Sequence, residues 1–312
     1  MTVSVCLCTY QGEKYIEKQL CSIYDQTHRP EEVVICDDGS TDRTVSLIRE
    51  FIQKRNLEES WHLIQNPTNL GYMANFYHAC TLCHGDFVFF ADQDDLWHVK
   101  KISEMLKVFE SKPEAKVVCC KFGLIDAEDQ RISGIMAPVH AKDTAAVRPL
   151  GIKEVFRKCE WPAMVLAFRR SWYLEWQEIT KGSVIPHDYL FCSKSAEENG
   201  FFQLDLELAS HRLHGDNTAK GEHRLGALIK KKRKLEEIDD YLTLLNAFQK
   251  ENVLRTQEGK NALQRKQQIM LDRKTALLSG KWGNVIQNKI RYKQEIRLAT
   301  LLCDLLIVKE KI

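Results

Sequence analysis

Short apolar runs alternate with segments whose apolar positions recur every three or four residues over the first 120 positions. Val3–Cys8, Glu32–Cys36, Trp61–Gln65, Phe87–Phe90 and Lys116–Cys120 read as strands. Between them Glu13–Gln26, with Tyr15, Ile16, Leu20 and Ile23 on one face, reads as a helix, as do Asp42–Arg55, Tyr72–Cys83 and His98–Glu110. Ser40 and Thr41 stand where a side chain would cap the second helix. Strand–helix alternation of this kind predicts an α/β fold, a mostly parallel sheet with helices on both faces. Ligands of such sheets bind beyond the carboxyl ends of the strands. Three polar motifs fall there: Thr9-Tyr10, Asp37-Asp38 and the run from Asp92 to Asp95.

Further along the pattern weakens. Residues 121–160 carry Gly123, Gly134, Pro138 and Pro149 and read as loops over the site. Trp161–Phe168 reads as another strand, Asp188–Asn199 as a helix and Phe202–His211 as an extended segment. From Lys220 onward the pattern is helical, ending in an apolar helix at Ala299–Val308, with Gly280 and Gly283 as interruptions.

Charge divides the chain at the same place. Residues 220–312 carry a net charge of +10, and the first 219 carry −8. At 312 residues the chain accommodates one large domain or a domain with an appendage. It contains no run of about 18 apolar residues, and Met1–Cys6 reads as a strand and not as a signal peptide. A cytosolic protein is the expectation. Of the eleven cysteines, Cys6, Cys8, Cys36, Cys119 and Cys120 sit in strand-like runs. Cys80 and Cys83 have CxxC spacing, but no second pair or close histidine pair completes a zinc site. Reduced, buried thiols are expected.

The chemistry concentrates where Phe87–Phe90 stops at Asp92, Asp94 and Asp95. Crowded carboxylates repel one another unless a cation or solvent compensates. Mg²⁺ and Mn²⁺ take such oxygen ligands and commonly share them with substrate phosphates. A solvated turn is the competing reading, and Asp95 also suits a helix cap. Thr9 and Tyr10 end a strand where a turn and a ring can hold a base, or where the ring packs on its loop. Asp37 suits a base imide or ribose hydroxyl, while Asp38 suits bracing the turn. Asn69-Leu70-Gly71 suits shaping a pocket, or simply a turn before a helix.

Taken in order, Val3–Tyr10, Gln26-Thr27, Asp37–Asp42, Asn69–Gly71 and Ala91–Trp97 resemble glycosyltransferase family 2, the inverting enzymes of GT-A fold. The resemblance runs on through Pro186–Tyr189 and His211–Thr218 and covers residues 1–218. Bacterial rhamnosyltransferase-like enzymes that build surface polysaccharides are the subgroup it is most similar to. It implies a GT-A catalytic domain over 1–218 and a basic helical appendage over 219–312. It also implies a nucleoside-diphosphate-sugar donor, carrying dTDP or UDP and with rhamnose a candidate sugar. The acceptor would be a glycan or polyprenyl-diphosphate-linked hydroxyl.

By the same resemblance Thr9, Tyr10, Asp37 and Asn69 contact the nucleotide, Asp92 lies near the ribose, and Asp94 ligates Mg²⁺ or Mn²⁺ with Asp92 second. His214 would join the metal ligands or contact a phosphate, against the plainer reading of a structural histidine. Asp188 is the general base, against the bland reading of an aspartate favoured by a helix N-terminus. His187 would orient it or meet the acceptor, and Arg212 would balance diphosphate charge. Trp97 reads as a packing residue, with a substrate contact the alternative. One departure stands out: the family's glycine-rich strand before the base is replaced by Glu160–Met164, which leaves acceptor contacts there open. Beyond residue 219 the resemblance stops. The basic run Lys230–Lys234 suggests peripheral contact of 220–312 with the inner face of the membrane. A solvated hairpin packed on the first domain or in a homo-oligomer is the plainer alternative. Nucleic acid is not an expected partner, since few aromatics accompany the charge. Two other functions compete: a non-catalytic nucleotide-sugar-binding or scaffold subunit, and a sugar-phosphate nucleotidyltransferase. The latter lacks its Gly-rich, Arg-containing loop at Thr9–Gly12.

Overall fold

The computed structural model describes residues 1–132, 143–158, 161–214 and 230–310. These form two compact units: Met1–Gly151 with Glu160–His214, and Ile152–Cys159 with Gly215–Ile312. The expected boundary at 218/219 lies outside the described residues.

Among the described residues of the first unit, ten strands make one sheet. They are β1 (Val3–Thr9), β2 (Glu32–Asp37), β3 (Trp61–Gln65), β4 (Phe87–Asp92), β5 (Leu96–Trp97), β6 (Val117–Ile125), β7 (Arg131–Ile132), β8 (Val147–Pro149), β9 (Leu166–Arg169) and β10 (Phe201–Arg212). The order is β3-β2-β1-β4-β9-β6-β10-β5, with β7 on β6 and β8 on β10. The first four strands are parallel. β9 then inserts antiparallel to both β4 and β6, β10 returns parallel to β6, and β5 pairs antiparallel with β10. Every residue of β1 is buried, which is what a strand covered on both faces requires of its side chains.

The helices are α1 (Ile16–Tyr24), α2 (Thr44–Arg55), α3 (Tyr72–Leu82), α4 (Lys101–Ser111), α5 (Ile152–Lys158), α6 (Arg170–Leu174), α7 (His187–Glu197), α8 (Lys231–Lys250), α9 (Gln257–Ser279), α10 (Trp282–Arg291) and α11 (Leu298–Ile307). α2 shows the sequence logic: Thr44, Leu47, Ile48, Phe51 and Ile52 form its buried stripe at helical spacing.

Several expectations need correction. Ser40 and Thr41 do not cap α2; Asp42 closes its first turn by accepting from the Thr44 N–H (3.0 Å), because Ser40 is turned toward Asp37. Asp95 caps no helix, since β5 intervenes and α4 starts at Lys101. The stretch 121–160 is not all loop: β6 continues to Ile125, and β7, β8 and α5 follow, with 133–142 outside the described residues. In place of a strand over Trp161–Phe168 there is a 3₁₀ turn at Ala163–Val165 and then β9. Gly283 lies within α10; only Gly280, at φ 66°, ends a helix. The described cysteines are all free thiols, and most are buried.

In the second unit α5, α8 and α10 pack on α9, and α11 on α10. A bidentate pair from Arg273 to Asp304 (2.9 and 3.0 Å) links α9 to α11. The basic run does not stand free. Lys231 is buried and donates to the Val308 carbonyl, while Arg233 and Lys234 pair with Glu237.

Candidate active site at the strand ends

Register brings the first two motifs together. Thr9 pairs with Asp37 across β1 and β2, and Cys8 pairs with Asp92 across β1 and β4. Thr9, Asp37 and Asp92 therefore end neighbouring strands at nearly one level. Asp37 is fully buried; its carboxylate accepts from Thr9 Oγ1 (2.9 Å), the Ser40 N–H (2.9 Å) and Ser40 Oγ (2.5 Å). Asp38 braces the neighbouring turn. Its carboxylate accepts from Asn66 Nδ2 (2.8 Å), the Leu70 N–H (2.8 Å) and the Gly71 N–H (2.9 Å). Asn69 is spent on the same turn, donating to the Asp38 carbonyl (3.0 Å) and accepting from Gly71 (3.1 Å). Gly71 starts α3 at φ 82°, a backbone that a side chain would strain.

The loop after β1 is clamped from two sides. Gln93 donates to the Tyr10 carbonyl (2.9 Å) and accepts from the Tyr10 N–H (2.8 Å). Gln11 bonds the 40–42 segment through its side-chain amide and its N–H. The Tyr10 ring stays half exposed at the rim. Gln93 is a positioning residue that sequence reasoning missed. The spacing of the acidic run drew attention to its carboxylates, and an amide between them carries no pattern of its own.

The acidic run divides by partner. Asp94 Oδ2 meets His214 Nε2 at 2.8 Å, and the Asp94 carbonyl accepts from Arg212 Nε (2.7 Å). Asp95 is fully buried and meets His211 Nδ1 (2.9 Å) and the Arg212 N–H (3.0 Å). Burial opposes charge on His211, but Asp95, with Asp94 and Asp92 beyond it, outweighs the burial and raises its pKa to about 9. Lys101 is buried over the Trp97 ring (3.6 Å), and burial lowers its pKa to about 8. Asp92 has the least compensation: burial first, then the charges of Asp95 and Asp94, pushes its carboxyl well above the usual range. Arg212, expected to balance diphosphate charge, is held by the protein itself. It is fully buried, donates to the Asp126 carbonyl (2.9 Å), pairs with Asp129 and lies over Tyr15 (4.6 Å).

Asp188 occupies the first turn of α7, partly buried, with Oδ1 accepting from the Tyr189 N–H (2.8 Å). Burial raises its pKa to about 6, and its charge is felt by both Asp92 and Tyr72. His187 makes no hydrogen bond to Asp188. It is buried, stacks on Phe76 at 4.0 Å and meets Phe90 edge-on at 5.1 Å. Burial lowers its pKa to about 3, so it is a neutral core histidine. Trp97 is buried against Phe89, as a packing residue should be. The element Gly215–Thr218 lies outside the described residues, as does Glu160.

These residues fit a divalent cation in a limited sense. Among the described residues no three His, Cys, Asp or Glu side chains converge to hold an ion unaided. The crowded Asp92 and Asp94 carboxylates still carry charge that a hard cation would compensate. Mg²⁺ is commonly held by one or two carboxylates together with substrate phosphates.

A parallel strand-end site on a mixed sheet of this order is the architecture of nucleotide-sugar transferases of GT-A type. Residues 4–166 match the model of glycosyl transferase family 2, and the chain belongs to that family. It is 27% identical over 228 residues to an uncharacterized glycosyltransferase of Nostoc sp., covering 70% of this chain and 66%, just under two thirds, of that protein. It is 31% identical over 105 residues to the putative teichuronic acid biosynthesis glycosyltransferase TuaG of Bacillus subtilis, covering 34% of this chain and 40% of TuaG. In structure it resembles S. aureus TarS 1-349 in complex with UDP-GlcNAc, at TM-score 0.58 and 17% identity, over 99% of this chain and 91% of that one. The mannosyltransferase PcManGT of Pyrobaculum calidifontis, in complex with GDP-Man and Mn²⁺, gives TM-score 0.52 at 15% identity, over 98% and 85%. The two structures share the fold.

Proposed function

We propose that the chain transfers a sugar, with inversion at the anomeric carbon, from a nucleoside-diphosphate donor to a hydroxyl of a surface-polysaccharide or lipid-linked oligosaccharide acceptor. The observation that carries this reading is Asp188. Its carboxyl has a pKa of about 6, and its charge is felt by Asp92 at the acidic strand end. A base poised near neutral pH suits removal of a proton from a hydroxyl. In a single displacement Asp188 takes the acceptor proton as the acceptor oxygen bonds to the anomeric carbon. The bond from that carbon to the donor's phosphate oxygen breaks, and the nucleoside diphosphate leaves with that electron pair.

Asp94, with Asp92 second, would hold Mg²⁺ or Mn²⁺, which when bound neutralises charge on the diphosphate. His214 acts through Asp94, fixing the carboxylate by the 2.8 Å contact. Tyr10 offers its ring to the base, while Thr9, Asp37 and Asn69 hold the loops around it. The donor is a UDP- or dTDP-sugar, with rhamnose a candidate. TarS in complex with UDP-GlcNAc, PcManGT with GDP-Man and Mn²⁺, and the name of TuaG support this class of donor, metal and product.

The test is a panel of nucleotide sugars screened for thermal stabilisation with Mn²⁺ or Mg²⁺, followed by release of nucleoside diphosphate on adding glycan or polyprenyl-diphosphate-linked acceptors. Metal-dependent stabilisation and acceptor-dependent release are expected. Donor binding without turnover on any acceptor would instead favour a nucleotide-sugar-binding subunit.

A further inference from the structure

The second unit turns an unusual face to solvent. On α10 the residues turned toward α9 include polar ones: Asn288 donates to the Asp272 carbonyl (2.8 Å) and Arg291 pairs with Asp272 (2.9 Å). Trp282, Ile286 and Ile290, one turn apart, face outward instead and are 46–74% exposed. α11 repeats the inversion. Its Asp304 is buried against Arg273, while Leu298, Leu302 and Leu306 are 53–69% exposed at the same one-turn spacing. The two stripes meet where Trp282 Nε1 donates to the Leu305 carbonyl (3.2 Å). Scattered apolar side chains on a surface need no explanation, but a contiguous patch marks an interaction site.

The segment that carries the patch is predominantly basic, although Arg291 is paired with Asp272 of α9. Between Lys281 and Lys309 stand Lys289, Arg291, Lys293 and Arg297, against only Glu295 and Asp304. Both acids are held by arginines of α9, Arg265 and Arg273. Lys309 lies over the Trp282 ring at 5.6 Å, at the margin of the patch. Aliphatic side chains, a tryptophan and a basic margin together are what the interface of an anionic bilayer selects. A second copy suits the patch less well, because a symmetric contact would bring two basic margins together. Among the described residues no helix is long and apolar enough to cross a membrane, so the contact would lie in the surface plane.

We propose that the exposed apolar stripes of α10 and α11, with their lysine margin, dock the protein on an anionic lipid surface. In the run Lys230–Lys234, expected from sequence to make that contact, Lys231, Arg233 and Lys234 are engaged within their own unit, so the proposal rests on α10 and α11 instead. The proposal does not rest on the catalytic reading, and its test involves no sugar transfer.

The full chain is sedimented with vesicles of phosphatidylglycerol mixed with phosphatidylcholine, and with phosphatidylcholine alone. Sedimentation with the anionic vesicles, and much less with the neutral ones, is expected. Ile286→Ser with Leu302→Ser should lower vesicle partition by about tenfold or more while leaving the melting temperature near that of the parent, since both side chains are exposed. Lys281→Glu with Lys293→Glu should abolish the preference for anionic vesicles. The proposal is overturned if the anionic vesicles do not carry the protein down, or if the serine variant binds them as the parent does. Light scattering that finds a dimer which the serine variant dissociates, without vesicle binding, would assign the patch to a second copy.

Discussion

The side-chain amide of Gln93 makes both of its hydrogen bonds to the peptide group of Tyr10, accepting from the N–H at 2.8 Å and donating to the carbonyl at 2.9 Å. This residue of the acidic run thereby holds the loop after β1, whose tyrosine is half exposed. Gly12 belongs to the same arrangement: a Cβ there would come within 2.2 Å of Gln93 Oε1.

Gln93→Ala is therefore expected to cost about 1 kcal/mol of stability, as partly exposed hydrogen bonds do, and to weaken donor binding by freeing Tyr10. Gly12→Ala should do the same by displacing the Gln93 side chain. Because both act on one contact, the double variant should fall short of the sum of the two. Thermal unfolding and donor titration of the three variants check this. Strict additivity would refute the shared contact.

Asp188→Asn is expected to keep donor affinity and lose transfer, by roughly 10²–10⁴-fold for a missing general base. In the parent the rate should fall as pH drops through about 6, where Asp188 takes up its proton. The same substitution should stabilise the fold. A carboxyl whose pKa is raised from 3.8 to about 6 binds its proton more readily folded than unfolded, so stability is lost as pH rises through that window. Removing the charge should return about 1–3 kcal/mol at neutral pH. Urea titrations at pH 4 and 7.5 would read the difference, which should shrink at the lower pH.

Asp94→Ala is expected to abolish the dependence of donor binding on Mn²⁺ or Mg²⁺. His214→Ala should weaken metal affinity by about 10- to 100-fold, the usual effect of losing a residue that orients a ligand. Calorimetric titration of metal in the presence of nucleoside diphosphate separates the two. Equal metal affinity in all three proteins would exclude the pair from the metal site.

In the second unit Asp304→Ala leaves the Arg273 guanidinium without its buried partner and is expected to cost about 3–5 kcal/mol. Replacing both residues by leucine should recover much of that loss. Chemical denaturation followed by circular dichroism is the measurement, and a negligible effect of Asp304→Ala would show that the pair contributes nothing.

Much of the parallel half of the sheet was legible because burial leaves a local record. The strands β1 to β4 and the stripes of α1 to α4 follow directly from apolar spacing, with ends shifted by at most three residues. The strand-end position of Asp37, Asp92 and Asp94 followed from the same reading. Two kinds of assignment failed: elements beyond residue 120, where the apolar pattern is weak, and the partners of polar side chains. Arg212 was expected to balance diphosphate charge and is buried at the end of β10, where it is held by the Asp126 carbonyl and Asp129. His187 looked like a partner of Asp188 and is stacked between aromatic rings. Asp95 looked like a helix cap and holds β10.

The sequence by itself determined the elements of the parallel half, the family resemblance and the clustering of carboxylates at strand ends, since these show in short stretches of chain. Only the tertiary structure decided that β9 inserts between β4 and β6, and that Asp95 and Asp94 take their partners 116 and 120 residues away at His211 and His214. Those pairings arise from sheet register and loop path, and a histidine carries no local mark of the carboxylate it will meet. The outward leucines of α11 show the same limit in reverse. Their spacing marks one apolar face, and only the packed helices reveal that this face is left uncovered.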